Sequence, residues 1–88
     1  METQKVTIKN KTGIHARPAS IFVKAASGFK SDITVNKGTS KASAKSLINI
    51  LALGLAKDSE LEITASGDDE KEAVQTLVDL INSKFGEE

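Results

Sequence analysis

One short stretch of the chain concentrates the residues best able to do chemistry. "TGIHARPAS", Thr12 to Ser20, holds the only histidine, His15, and the only proline, Pro18. Gly13 stands two residues before the histidine and Arg17 two after it. An imidazole can act as a nucleophile near neutral pH. A guanidinium is a forked, permanent cation whose geometry suits phosphate oxygens. Side by side, the two point to chemistry on a phosphoryl group.

The elements that must position them can be read from the same residues. Proline has no N–H and is tolerated in the first turn of a helix. It also disfavours helical dihedrals at Arg17, so the first helical residue is fixed only to within one or two positions. Either way His15 falls at or just before the N-cap, and Gly13 lets the approaching chain turn tightly. The first-turn N–H groups and the positive end of the helix dipole then face the imidazole. That field disfavours adding a positive charge to the ring and leaves a nitrogen available as a nucleophile. If the nitrogen takes up a phosphoryl group, the new oxygens meet backbone N–H groups and Arg17. One field therefore favours both the bare nucleophile and the charged product, as a reversible phosphoryl carrier requires. A lone histidine in a small domain is more commonly a surface or capping residue. Glycine, histidine, arginine and proline together at one helix start are what favour function.

Other chemistries have less support. One histidine with scattered carboxylates is a poor metal site. No glycine-rich nucleotide loop follows a strand, and no spacing suggests a Ser-His-Asp assembly. A small phosphatase using Arg17 to bind phosphate would lack a second polar group to orient water.

The 88 residues are expected to form one domain, 1–88, with a single thin core. Without cysteine there is no disulfide framework and no thiolate metal site. The start "METQKVTIKN" lacks the apolar run of a signal peptide. The longest apolar-rich run, Leu47 to Ala56, is too short to span a bilayer. A soluble cytoplasmic monomer, with no cofactor or metal and no membrane insertion, is the expectation. Twelve basic and twelve acidic residues give a net charge of zero, and the aromatics are three phenylalanines. Both facts argue against nucleic acid as a partner. Lysines are frequent from Lys5 to Lys45, whereas carboxylates concentrate from Asp58 onward.

Hydrophobic periodicity supplies the remaining elements. "KVTIK" alternates through Val6 and Ile8 as a half-buried strand. A helix from Pro18 to Ser27 carries Ala19, Phe22, Val23 and Ala26 at helical spacing, with Gly28 as its stop. "SDITVNKG" alternates through Ile33 and Val35 and then turns at Asn36-Lys37-Gly38. "TSKASA" reads as a short return strand, and Ser46 caps a helix from Leu47 to Leu53 closed by Gly54. "ELEIT" alternates through Leu61 and Ile63. Asp69 with Glu72 resembles a capping box ahead of the stripe Val74, Leu77, Val78 and Ile81, a helix that Gly86 ends. The order β-α-β-β-α-β-α predicts an α+β, two-layer sandwich. A four-stranded, largely antiparallel sheet is covered on one face by three helices and wet on the other.

"SLINILALGLA" has more apolar residues than a two-turn helix on a sheet can bury. With Ile50 and Leu53 inward, Leu47, Ile48 and Leu51 are left partly exposed, as at a partner surface. Ser46 reads as an N-cap. A phosphate placed on it would sit on its own helix terminus and set about −2 of charge beside Leu47 and Ile48.

"GIHARPA", followed some thirty residues later by "AKSLINILALG" and then by "ASGDDEKEA", resembles the HPr family of histidine-containing phosphocarriers. That family serves the bacterial phosphoenolpyruvate-dependent sugar phosphotransferase system. The resemblance covers essentially the whole chain. It implies an open-faced sandwich with sheet order 1-4-2-3. It places the active histidine on His15, phosphorylated at Nδ1, with Arg17 assisting. The donor would be phosphorylated enzyme I, and the acceptors the sugar-specific enzyme II A-domains. The protein would be a carrier rather than an enzyme. The family's docking surface would fall on Thr12, Ala16, Arg17, Ser20, Lys24, Leu47, Ile48 and Leu51. In many Gram-positive relatives the serine matching Ser46 is phosphorylated by an HPr kinase/phosphorylase, and the product binds a catabolite-control repressor. Such relatives usually read Ser-Ile-Met-Gly where this chain reads Ser46-Leu47-Ile48-Asn49. A regulatory module acting through phosphorylated Ser46 is the alternative, and the presence of His15 argues against a relative that serves regulation alone.

Overall fold

The computed structural model describes residues 1–86. The chain runs β1 (Glu2–Thr7), α1 (Ala16–Ser27), β2 (Asp32–Lys37), β3 (Ser40–Ser43), α2 (Leu47–Ala52), β4 (Glu60–Ser66) and α3 (Glu70–Asn82). A 3-10 turn, Lys84–Gly86, follows. The four strands form one sheet in the order β1-β4-β2-β3, every neighbouring pair antiparallel.

Alternation decides which face is covered. Val6, Ile33, Val35, Ala42, Leu61, Ile63 and Ala65 are buried beneath the helices. The helices contribute Ala19, Phe22 and Ala26 from α1, Ile50 from α2, and Ala73, Val74, Leu77, Val78 and Ile81 from α3. The other face is polar. Thr3, Thr64, Thr34 and Ser43 lie in one row across the strands, and Lys5, Glu62, Asn36 and Lys41 in the next. This is the open-faced sandwich that the periodicity and the family resemblance imply.

Several boundaries differ from the sequence reading. Helix α1 begins at Ala16, two residues before Pro18. Proline is accommodated because a first-turn N–H has no helical acceptor to lose. The β2–β3 turn is Gly38-Thr39 rather than Asn36-Lys37-Gly38. Asn36 and Lys37 pair with Lys41 and Ser40, and Gly38 takes φ +60. Helix α2 ends at Ala52, with Leu53 as its C-cap and half-buried. Helix α3 ends at Asn82, not at Gly86. Lys84 and Phe85 then take positive φ, which turns the Phe85 ring back into the core.

The expected Asp69–Glu72 capping box does not form. Asp69 occupies the N-cap position of α3, but its carboxylate makes no cap hydrogen bond. Its oxygens accept instead from the Lys30 amide (2.8 Å), the Ser31 amide (2.9 Å) and the Ser31 hydroxyl (2.5 Å). The Ser31 hydroxyl, and then the Lys30 amide, hold the Asp69 carboxyl below its ordinary range. Glu70 takes over at the helix start and accepts from the Gly67 amide at 3.1 Å.

Candidate functional site

The loop between β1 and α1 carries the candidate site, and its backbone is held at Ile8, Asn10, Gly13 and Ile14. Asn10 and Gly13 close a turn through the Gly13 N–H and the Asn10 carbonyl, 3.0 Å apart. Gly13 takes φ +67, and a Cβ there would lie 2.5 Å from the Leu55 carbonyl oxygen and 2.8 Å from the Ala56 Cα. Only glycine meets both demands without strain. The Ile14 amide then donates to the Leu55 carbonyl at 2.7 Å, and the Ile14 side chain is buried in the core. The site loop is thereby tied to the segment that follows α2.

His15 is the N-cap of α1, with extended dihedrals (φ −101, ψ −165) and no side-chain cap hydrogen bond. Its carbonyl accepts the first helical bond from the Ala19 amide at 2.9 Å. The residue is exposed. Ala16, Arg17 and Pro18 make up the first turn, so Ala16 and Arg17 supply its N–H groups and Pro18 none. No acidic residue lies in that turn, so nothing there opposes the positive end of the helix dipole.

Arg17, Ser20 and Lys24 are exposed and follow one another along α1 at helical spacing. Thr12 and Ala16 are exposed on either side of His15. Helix α2 packs against α1 and presents Leu47, Ile48 and Leu51 at 38 %, 79 % and 38 % exposure, whereas Ile50 is 1 % exposed. Exposed apolar side chains thus adjoin the histidine helix. Ser46 caps α2, its Oγ accepting from the Asn49 amide at 3.3 Å. Among the described residues no group of three histidine, cysteine, aspartate or glutamate side chains could hold a metal.

One residue at the site was not singled out from sequence. Asn10 is 1 % exposed, and its side-chain Nδ2 donates to the Gly13 carbonyl at 2.6 Å. The signal was an asparagine three residues before a glycine, a common pattern at the ends of a β-turn.

Comparisons with known proteins agree with this geometry. A family model described as PTS-HPr, "PTS HPr component phosphorylation site", matches residues 2–83. The chain is 42 % identical over 87 residues to a phosphocarrier protein HPr of Neisseria meningitidis, covering 99 % of this chain and 98 % of the relative. Among solved structures it is similar to HPr-C-His from Thermoanaerobacter tengcongensis, at 52 % identity and TM-score 0.97, over 100 % and 99 % of the two chains. It is also similar to Crh, the catabolite repression containing protein of Bacillus subtilis, solved as a dimer with a swapped domain. That match has 37 % identity and TM-score 0.76, over 96 % and 97 % of the chains. With a match running from Glu2 to Ser83 and a sheet ordered 1-4-2-3, the chain belongs to the HPr family of phosphocarriers of the phosphotransferase system.

Proposed function

We propose that His15 is the phosphoryl acceptor of this carrier and that Arg17 and the Ala16 and Arg17 amides hold the bound group. The observation that carries this reading is an exposed imidazole at the N-cap of a twelve-residue helix with no first-turn carboxylate. A neutral imidazole attacks phosphorus through one nitrogen while its other nitrogen keeps its proton. The bond from phosphorus to the donor breaks as the N–P bond forms, and the donor leaves with the electron pair. The transferred oxygens carry negative charge toward the helix N-terminus, where backbone N–H groups and the guanidinium stabilise it. Onward transfer is the same step in reverse.

The donor in this reading is phosphorylated enzyme I, charged by phosphoenolpyruvate, and the acceptors are sugar-specific enzyme II A-domains in the cytoplasm. Both dock on the surface formed by Thr12, Ala16, Arg17, Ser20, Lys24, Leu47, Ile48 and Leu51. The apolar trio supplies contact area and the cations steer an acidic partner. Phosphorus NMR of the protein with catalytic enzyme I and phosphoenolpyruvate tests the reading. A phosphohistidine resonance is expected from the natural chain and none from His15→Ala. Undiminished labelling of His15→Ala overturns the assignment.

A second reading rests on Ser46, whose hydroxyl stands at a helix start beside Leu47 and Ile48. A phosphate there would disrupt docking of an apolar or acidic surface and would be the mark read by a catabolite-control repressor. Incubation with an HPr kinase and ATP separates the two readings, because phosphate on serine survives acid and phosphate on histidine does not. The greater likeness to an HPr than to Crh supports the carrier as the primary role.

A further inference from the structure

We infer that Asn10 is a positioning residue for phosphoryl transfer, acting on His15 through the peptide unit between Gly13 and Ile14. This inference deepens the carrier reading and rests on it. The peptide unit is held at both polar ends. Its carbonyl accepts from Asn10 Nδ2 at 2.6 Å, and its N–H donates to the Leu55 carbonyl at 2.7 Å. A peptide plane fixed at both ends cannot rotate about the chain axis without losing one bond. One residue further on stands His15, whose own carbonyl is committed to Ala19. The imidazole itself makes no cap bond to its helix. The backbone entering the helix sets where the His15 Cα and Cβ stand, and Asn10 holds one polar end of the peptide unit one residue before it.

The residue type agrees with this role. Asn10 lies on a loop, flanked by exposed Lys9 and Lys11, yet its side chain is 1 % exposed. An amide so placed is costly to bury unless it is hydrogen-bonded. Turn formation alone does not require the side chain, because the turn closes through the Asn10 main-chain carbonyl. The side chain is directed instead at the one carbonyl that orients the approach to His15. Aspartate has the same shape but would set an oxygen against that carbonyl oxygen; alanine would leave the carbonyl without this donor.

The test is single-turnover transfer from phosphorylated enzyme I to the natural chain, Asn10→Ala, Asn10→Asp and Ile63→Val. Ile63→Val is a core change on β4, remote from the loop, that serves to match the loss of folding stability. Both Asn10 variants are expected to lose about ten-fold or more in the transfer rate constant at saturation, because small misplacements of a reacting group cost rates of this order. Their half-saturating concentration should stay within about two-fold, since Leu47, Ile48 and Leu51 are untouched. Ile63→Val should transfer at the natural rate. A rate constant unchanged in the Asn10 variants, a change confined to half-saturation, or an equal loss in Ile63→Val each overturns the inference. If neither Asn10 variant folds, Asn10→Ser, whose shorter side chain withdraws the donor from the Gly13 carbonyl but suits the start of a turn, is held to the same three outcomes. Failure of the natural chain to accept phosphate at all would instead defeat the carrier reading, so the two failures are distinguishable.

Discussion

The first two helices pack against each other and are capped in opposite ways. Ser46 turns its hydroxyl onto the Asn49 amide and caps α2 with its own side chain. His15 makes no cap bond with its side chain, and α1 starts from a loop fixed upstream by Asn10, Gly13 and Ile14. The difference suits the role proposed for each side chain. A hydroxyl can spend its lone pairs on its own helix and still be a good N-cap. An imidazole serving as the proposed phosphoryl acceptor would not be spent on a cap, and here the backbone before it, fixed at Gly13 and Ile14, leads into the helix. The third helix adds a further case. Asp69 holds the N-cap position of α3 but uses its carboxylate to bind the loop at Lys30 and Ser31.

The contrast can be broken most severely at Gly13. Gly13→Ala forces a Cβ against Leu55 and Ala56 at positive φ. It should cost about 2–4 kcal/mol by denaturant unfolding. Gly54 also has positive φ, but nothing lies within 4 Å of where its Cβ would be. Gly54→Ala should cost only about 1 kcal/mol, the strain alone. Equal losses at the two glycines would mean that the close approach of the site loop to the chain after α2 does not hold it.

A smaller effect is expected from Ile48→Ala. The side chain is 79 % exposed, so unfolding stability should change by less than about 0.5 kcal/mol. The half-saturating concentration for enzyme I should rise about five- to ten-fold, the cost of an interface residue worth more than 1 kcal/mol. Unchanged saturation would remove α2 from the docking surface. Next in size is the direct test of the two capping modes. Ser46→Ala should lose about 0.5–1 kcal/mol, the low part of the usual range because its bond is long at 3.3 Å. His15→Ala should fall short of that loss, since no cap bond disappears. If the histidine variant is the less stable of the two, the comparison fails.

The subtlest effect is confined to acid. The Ser31 hydroxyl and the Lys30 amide lower the Asp69 pKa from the ordinary 3.8. The folded state therefore favours the carboxylate, and its contribution is complete above the unfolded value. That contribution disappears as pH falls from the unfolded value through the lower folded one. Asp69→Asn should flatten this acid limb of the stability profile and leave the slope near pH 7 alone, as thermal melts across the pH range would show.

Much of this was legible in the residues. Alternation at Val6, Ile33, Val35, Leu61 and Ile63 marks the strands because each has one wet face, and the structure buries all five. The surplus of apolar residues on α2 was visible because six helical residues cannot all turn inward. The histidine's place at a helix start followed from Pro18 being confined to a first turn. Sheet order was not legible from pattern: β1 and β2 both pair with β4, and periodicity carries no information about which strands are neighbours. Neither was the fate of Asp69. A cap motif describes the local chain, while the donors that won its carboxylate, at Lys30 and Ser31, come from a loop nearly forty residues away. Asn10 was missed for a similar reason. Its spacing to Gly13 suggests a turn, but which carbonyl the buried amide faces is decided by tertiary packing.

If the phosphoryl group sits on His15 as proposed, Pro18 bears on how tightly it is held. Standing third in its helix, it subtracts a donor from a turn that would otherwise offer three amides. A further charge-assisted hydrogen bond would deepen the well by about 1.5–3 kcal/mol, making release to the next protein ten-fold or more less favourable. With two amides rather than three, the proposed seat would hold the group less tightly, which suits a relay that must pass it on.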